Sequence, residues 1–400
     1  MVDAMEPGVN CRPTTNRPLH GLRVCCAMRS GSPAYNARFI KVAEAAADAG
    51  ADVVLVVATA SDAELPACPF PTVVVPVTAS SHRVWAVRVI TNLYNELLGE
   101  HLRLEAAARR VNADLYHAHF LPTLPALVVA ARRVHARVLY DPRDLFVDAA
   151  RATWPVWKTR YYRWLERRFV TRADAVLAVS RPMARVLKER YGIADPTVIM
   201  NGPYDRVNHA RPVSRPVRLL FQGAFRHNRN LPSLVRAMAA LRGKAILTLQ
   251  GWGDMEEDLR ALVSARELDG TVVFRAPCAP RDVVACAAEH DVGVVAYKAD
   301  TLNLEVAVPN KLLDYVGAGL AIAASDLPGH RSVLDGADFG VLIDPSSDET
   351  LARALARIVD DPDRIARMKQ GAVRAASGLS WTAQSKRLID VYTGLVTGRG

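Results

Sequence analysis

Four hundred residues exceed what one hydrophobic core usually organises and fit two domains of about 200 each. Half are hydrophobic, which excludes a chain too polar to fold, and no apolar run of about 18 residues lacks charge, so no transmembrane helix is predicted. A net charge of +10 calls for anionic partners such as phosphate ligands or anionic lipid, and with no recognisable nucleic-acid module no nucleic-acid partner is expected.

Residues 1–18 are polar and proline-containing without an apolar stretch, and read as a disordered tail rather than a secretory signal. From Leu22 onward short apolar runs alternate with longer amphipathic ones, the pattern of a parallel α/β sheet. Strands are predicted at 22–27, 52–58, 72–76, 114–118, 136–140, 174–179 and 197–200, giving a first domain over 19–200. After the first strand, Arg29-Ser30-Gly31-Ser32-Pro33 makes a turn at the strand's carboxyl end, where open α/β sheets bind ligands; Arg29 and Gly31 are acceptor-side candidates. Residues 35–49 read as an Ala-rich helix ending at Gly50.

Periodicity fails over 201–216, where Pro203, Pro212 and Pro216 mark a linker. The alternation restarts with strands at 217–222, 244–250, 271–275, 291–296, 320–324 and 339–343, a second domain over 217–379. The last segment, 380–400, opens at Ser380-Trp381 and carries Leu388, Ile389, Tyr392 and Leu395 on a helix placed to cross back to the first domain. The six cysteines (Cys11, Cys25, Cys26, Cys68, Cys278, Cys286) show no C-x-x-C spacing and read as reduced, mostly buried thiols of a cytosolic protein.

The stretch Pro309-Asn310-Lys311-Leu312-Leu313-Asp314-Tyr315-Val316-Gly317-Ala318-Gly319 has the features of a helix that receives an anion. Pro309 suits the first helical position and Gly319 the left-handed stop. Leu312, Leu313 and Val316 can face a core while Asn310 and Asp314, four apart, share another face. Free N–H groups with Lys311 beside them attract phosphate, and Asp314, one turn further in, suits a ribose diol. An ordinary amphipathic helix with both charges solvated is the alternative.

Gln222-Gly223-Ala224-Phe225-Arg226-His227-Asn228-Arg229-Asn230-Leu231 follows a strand and offers Gly223 for close backbone approach and Arg226 and Arg229 for a diphosphate. Gly251-Trp252-Gly253 follows the next strand but is weak evidence by itself. Asp141 and Arg143 follow a first-domain strand and are acceptor-side candidates. No Asp-x-Asp metal signature lies between the strands; Asp360-Asp361-Pro362-Asp363 reads as a capped turn. Residues 151–172 interleave tryptophan, tyrosine and phenylalanine with seven basic residues, Glu166 being the acidic one. Such a helix either lies on anionic membrane or packs between elements with its arginines snorkelling.

Taken in order, Gln222-Gly223 with Arg229-Asn230-Leu231, the Leu249–Gly253 turn, Asp291-Val292-Gly293-Val294 and PNKLLDYVGAGL followed by Ala324-Ser325-Asp326-Leu327-Pro328-Gly329 resemble the retaining, nucleotide-sugar-dependent glycosyltransferases of the GT-B fold, family 4. The resemblance runs from about Leu219 to Tyr392, with fainter matches at Asp114–His119, Tyr140–Asp144 and Ala173–Ser180. It implies two Rossmann-like domains facing a cleft, a UDP- or GDP-sugar donor, an acceptor hydroxyl on a glycan, lipid-linked intermediate or natural product, no cofactor and no metal. It implies that Arg229 binds the donor diphosphate, with Pro309, Asn310 and Lys311 at the helix start, and that Asp314 binds the ribose. The family's arginine after the glycine falls on Ala224, leaving Arg226 as its substitute. The family's first glutamate falls on Val306, with Glu305 adjacent as the catalytic candidate beside His119, which would sit near the donor sugar. The family's histidine in the acceptor loop is replaced by Arg143. The resemblance also implies a same-face displacement in which a donor phosphate oxygen helps deprotonate the acceptor, in the cytoplasm or at the inner face of the membrane. The alternatives are a non-hydrolysing nucleotide-sugar 2-epimerase of the same fold and an inactive sugar-nucleotide-binding subunit.

Overall fold

The computed structural model describes residues 17–29, 37–59, 68–77, 91–150 and 153–398. Two parallel sheets organise them. The first contains β1 (Arg23–Arg29), β2 (Asp52–Thr59), β3 (Thr72–Pro76), β4 (Leu115–His119), β5 (Arg137–Asp141), β6 (Ala175–Ala178) and β7 (Thr197–Val198), in the order β3-β2-β1-β4-β5-β6-β7. The second contains β8 (Val217–Gln222), β9 (Ala245–Gln250), β10 (Val272–Arg275), β11 (Val292–Val295), β12 (Ala321–Ser325) and β13 (Gly340–Ile343), in the order β10-β9-β8-β11-β12-β13. Every predicted strand is found within two residues of its expected ends.

Helices cover both faces of each sheet, so the strands read as nearly continuous apolar runs. In β1, Val24, Cys26 and Met28 enter one core, while Cys25 and Ala27 enter the core on the opposite face. Strand order reverses between β1 and β4 and again between β8 and β11. Those reversals open a crevice at the carboxyl ends of both sheets, where ligands of open α/β sheets bind.

Residues 199–216 carry the chain from the first sheet to the second, and the Trp381–Thr397 helix brings it back. Trp381, Leu388 and Tyr392 of that helix are buried with Val24, Met28 and Phe39 of the first domain. The two crossings touch backbone to backbone. Trp381 N–H donates to the Pro203 carbonyl at 2.8 Å, and a Cβ added to Gly202 would lie 1.9 Å from the Leu379 oxygen.

Three expectations change. The expected tail falls mostly on residues outside the described ones, but Arg17 and Pro18 already belong to a turn, and buried Leu19 donates its N–H to Ala49 O at 3.0 Å. Cys278 and Cys286, expected as thiols, are disulfide-bonded to each other, while Cys25 and Cys26 are free and buried. Pro309 is the cap rather than the first helical residue, because its ψ of 140° is extended and the helix runs Asn310–Gly317. No helix among the described residues is long and apolar enough to cross a membrane.

Candidate active site

A cavity of about 550 Å³ opens between the carboxyl ends of the two sheets, lined from both domains. Its second-domain wall is built on the Asn310–Gly317 helix. Leu312, Leu313 and Val316 fix that helix to the core. Tyr315 anchors it further: its hydroxyl accepts from Gln222 N–H at 2.8 Å, and its ring lies where a Gly293 side chain would be. Gly319, at φ 68°, ends the helix in the left-handed conformation. The helix is thereby pinned to β8 and β11 with Lys311 and Asp314 facing the cavity.

The turns after β8 and β9 form the adjoining wall. Gly223 N–H donates to Gln250 O at 2.8 Å and Phe225 N–H to Trp252 O at 2.7 Å. Gly251 and Gly253 permit this pairing, since a Cβ on either would lie 2.0 and 2.4 Å from the Gly223 and Phe225 oxygens. The Gly-x-Gly turn thus supports the Gly223 loop. Asp291 is structural in the same sense, accepting from Ser214 and Arg218 N–H and from buried Lys369 at 2.7 Å.

Two cations converge here. The Arg229 guanidinium stacks 4.3 Å over Tyr297, and Lys311 Nζ stands 3.6 Å over Phe221. Neither has a carboxylate within salt-bridge distance among the described residues, and Arg229 Nη1 is buried without a partner. Burial, then repulsion from Arg229, pushes the Lys311 ammonium well below its usual pKa, Asp314 opposing them. Burial pushes Asp314 up to about 7, while Lys41 and Lys311 pull it down. Lys41 comes from the first-domain helix Ala37–Asp48 and donates to Gly202 O at 2.8 Å. Unneutralised cations beside a desolvated carboxylate leave room for a diphosphate with a diol next to it.

Gly223, Arg226, Pro309 and Asn310 also line the cavity, as does Ala224. Arg226 and Asn310 lie exposed at the cavity wall. Of the acceptor-side candidates, Arg143 lines the cavity, its guanidinium 4.8 Å over Phe120. Arg29 does not; it is half-buried and paired with Glu100 at 2.7 Å. Gly31 lies outside the described residues.

His119 and Asp141, expected at the cleft, are both fully buried beneath its floor. Asp141 is held by Arg38 through two bonds of 2.7 and 3.2 Å, and His119 stacks on His117 with centroids 4.0 Å apart. Burial would raise the Asp141 carboxyl, but Arg38 outweighs it and draws the group far below the usual range, while burial pushes both imidazoles below their usual pKa. Arg38, which the sequence does not single out, is the member of this group that reaches the cavity. Cys26, His117 and His119 bring ligating atoms within 4.8 Å of one another, yet His117 Nδ1 is engaged by the Tyr392 hydroxyl at 2.6 Å, and nearby Arg38 opposes a cation.

Glu305 is also displaced from its expected place. On the short helix Leu302–Val306, Asn303 and Leu304 face the cavity, Val306 packs into the first-domain core and Glu305 is exposed. At about 100° per residue Glu305 points away from the Asn303 side.

His330 lines the cavity without any motif to announce it. Its Nδ1 must carry the proton, because it lies 2.8 Å from the Ser325 carbonyl, which can only accept. Its Nε2 is therefore a bare acceptor, buried without a partner. The signal was positional: His330 follows the Ser325–Gly329 turn beyond β12.

Residues 35–202 match the glycosyl transferase 4-like domain, and residues 216–361 match glycosyl transferases group 1. The D-inositol 3-phosphate glycosyltransferase of Thermomonospora curvata is 26% identical over 73% of this chain and 74% of its own length. That of Thermobispora bispora is 28% identical over 57% of this chain, which spans 58% of that relative. Anabaena Alr3699/HepE, solved in complex with UDP, superposes with a TM-score of 0.70 at 16% identity, covering 94% of this chain and 100% of that one, a likeness of fold. Two parallel-sheet domains around a cationic cleft have the GT-B architecture, and with these family matches the chain is a glycosyltransferase of that type. The chain belongs to family 4, the glycosyl transferases group 1.

Proposed function

We propose that this protein transfers a hexose-like sugar from a nucleoside diphosphate, UDP or GDP, to an acceptor hydroxyl with retention of anomeric configuration. The observation that carries the reading is the pairing of Arg229 and Lys311, two cations without a salt-bridged carboxylate among the described residues, with Asp314 in one cavity. The diphosphate lies against Arg229 and Lys311, and the ribose hydroxyls donate to Asp314. As the glycosidic bond breaks, negative charge grows on the leaving diphosphate, and the two cations stabilise it without a divalent metal. A phosphate oxygen on the same face receives the acceptor proton, which retention requires when no enzyme nucleophile intervenes. The acceptor enters from the first-domain wall, past Arg38 and Arg143.

The names of the relatives suggest inositol phosphates as first acceptors to try, beside glycan and lipid-linked hydroxyls. One observation favours a second reading, binding of a nucleotide-sugar without transfer: Val306 is buried and Glu305 faces solvent. A thermal-shift screen against UDP, GDP, ADP, dTDP and their sugars tests the donor. Ligand at 100 times its Kd should stabilise by about 2.7 kcal/mol. Turnover with any acceptor excludes the binding-only reading; no shift with any nucleotide removes both.

A further inference from the structure

The Val156–Val170 helix turns its charges in an ordered way that the sugar-transfer site does not use. Trp157, Arg160, Arg163, Trp164, Arg167 and Arg168 are exposed, and at 3.6 residues per turn they share one arc of roughly 140°. Trp157 is 47% and Trp164 58% exposed, large values for indoles in a folded domain. The helix's acidic residue, Glu166, is turned inward and accepts from the Tyr140 and Tyr191 hydroxyls at 3.1 and 2.5 Å. The exposed arc, which also holds Val156, therefore carries guanidiniums, indoles and one aliphatic side chain and no acid.

A second apolar stripe lies alongside. Tyr94, Leu98 and Leu102, four residues apart, are exposed along the segment that leads into the Glu100–Val111 helix and on that helix's first turn. The two elements are bonded together: the Tyr161 hydroxyl donates to Leu97 O at 2.6 Å, and Lys158 pairs with Glu96. One face thus combines indoles, aliphatic side chains and guanidiniums.

We infer that this face docks on an anionic lipid bilayer, with Trp157 and Trp164 seated at the headgroup boundary and the arginines on lipid phosphates. Tryptophan rings favour that boundary, and basic residues near it are drawn by its negative potential. A second copy of the chain fits poorly, because a two-fold contact would set guanidinium against guanidinium with no acid on the arc. Arg143 and Asp144, which line the cavity, precede this helix by twelve residues in sequence, with the helix Phe146–Ala150 between them.

The test is flotation of the full chain with vesicles of phosphatidylcholine alone and of equimolar phosphatidylcholine and phosphatidylglycerol. Binding is expected to the mixed vesicles, to weaken with salt, and to fall roughly 100-fold when Arg160, Arg163 and Arg167 are all changed to Gln. Brominated lipid should quench tryptophan fluorescence in the wild type and much less in a Trp157→Ser/Trp164→Ser variant. Melting temperatures close to wild type show that both variants fold. Equal binding to both vesicle types, unchanged flotation of the arginine variant, unchanged quenching of the tryptophan variant, or displacement of the vesicles by an equal charge of RNA would each overturn the inference. None of these outcomes depends on sugar transfer.

Discussion

The ring of Tyr315 rests directly on Gly293, so that a Cβ at the glycine would fall 2.1 Å from the ring. This contact joins β11 to the helix that carries Lys311 and Asp314, and it lets the Tyr315 hydroxyl reach Gln222 N–H at 2.8 Å. Gly293→Ala should overpack the site and cost about 1 to 3 kcal/mol of stability, because ring and strand are both buried. Thermal melting measures that loss. Tyr315→Phe, which keeps the ring and loses one buried hydrogen bond, should cost less, and equal melting of Gly293→Ala and wild type would refute the contact.

Lys311 should weigh on the fold and serve the ligand. Its folded-state pKa lies well below the ordinary 10.5, so the unfolded chain binds more protons between the two values. Stability therefore rises with pH across that window, and at neutral pH the lysine is a net burden. Lys311→Met should raise the melting temperature of the ligand-free protein at pH 7, with the gain shrinking as pH approaches 10.5. The same variant should lose about 1.5 to 3 kcal/mol of nucleoside diphosphate binding, as should Arg229→Ala. Calorimetric titration supplies the second number, and wild-type binding by both variants would misplace the diphosphate.

Much of this was written in the chain itself. Apolar runs such as Val292–Val295 are strands because both sheet faces are covered, and such runs stand out without any tertiary knowledge. Lys311, Asp314 and Arg229 were visible because helix starts and strand-end glycines are local features. Depth was not visible. His119 and Asp141 lie at strand ends that point toward the cleft, yet both are buried, and Arg38, from a helix about a hundred residues before Asp141 in sequence, clamps Asp141 and lines the cavity in its stead. Glu305 missed for a similar reason: a helix of five residues has no repeating pattern from which its facing could be read.

Asp314 makes pH a probe of the ribose contact. Its folded pKa is about 7 against an ordinary 3.8, so the folded state binds more protons between those values. Ligand-free stability from this group is present below 3.8 and lost as pH rises through 7, while the ionised carboxylate that ribose requires appears over the same rise. Affinity for a nucleotide-sugar, whose diphosphate does not titrate near 7, should thus increase from pH 6 to 8. Asp314→Asn should flatten that increase and weaken binding about 10- to 150-fold at pH 8. A 2′,3′-dideoxynucleotide should bind wild type poorly and be discriminated much less by the variant. Equal discrimination by both proteins would remove Asp314 from the ribose.

His330 offers the sharpest separation of sugar from nucleotide. Its Nδ1–H is committed to Ser325 O at 2.8 Å, and burial lowers its pKa, which favours the neutral ring with Nε2 as an open acceptor in the cavity. A sugar hydroxyl can donate there; a nucleoside diphosphate without sugar has nothing to offer it. His330→Phe should therefore leave nucleoside diphosphate affinity unchanged and weaken the matching nucleotide-sugar by about 2- to 12-fold, the worth of one neutral hydrogen bond. The fold should tolerate the change, because the Ser325 carbonyl keeps the Leu327 N–H at 2.8 Å. His330→Gln, whose carbonyl oxygen can accept, should recover part of the loss. If His330→Phe weakens diphosphate and nucleotide-sugar alike, the histidine shapes the cavity and does not read the sugar.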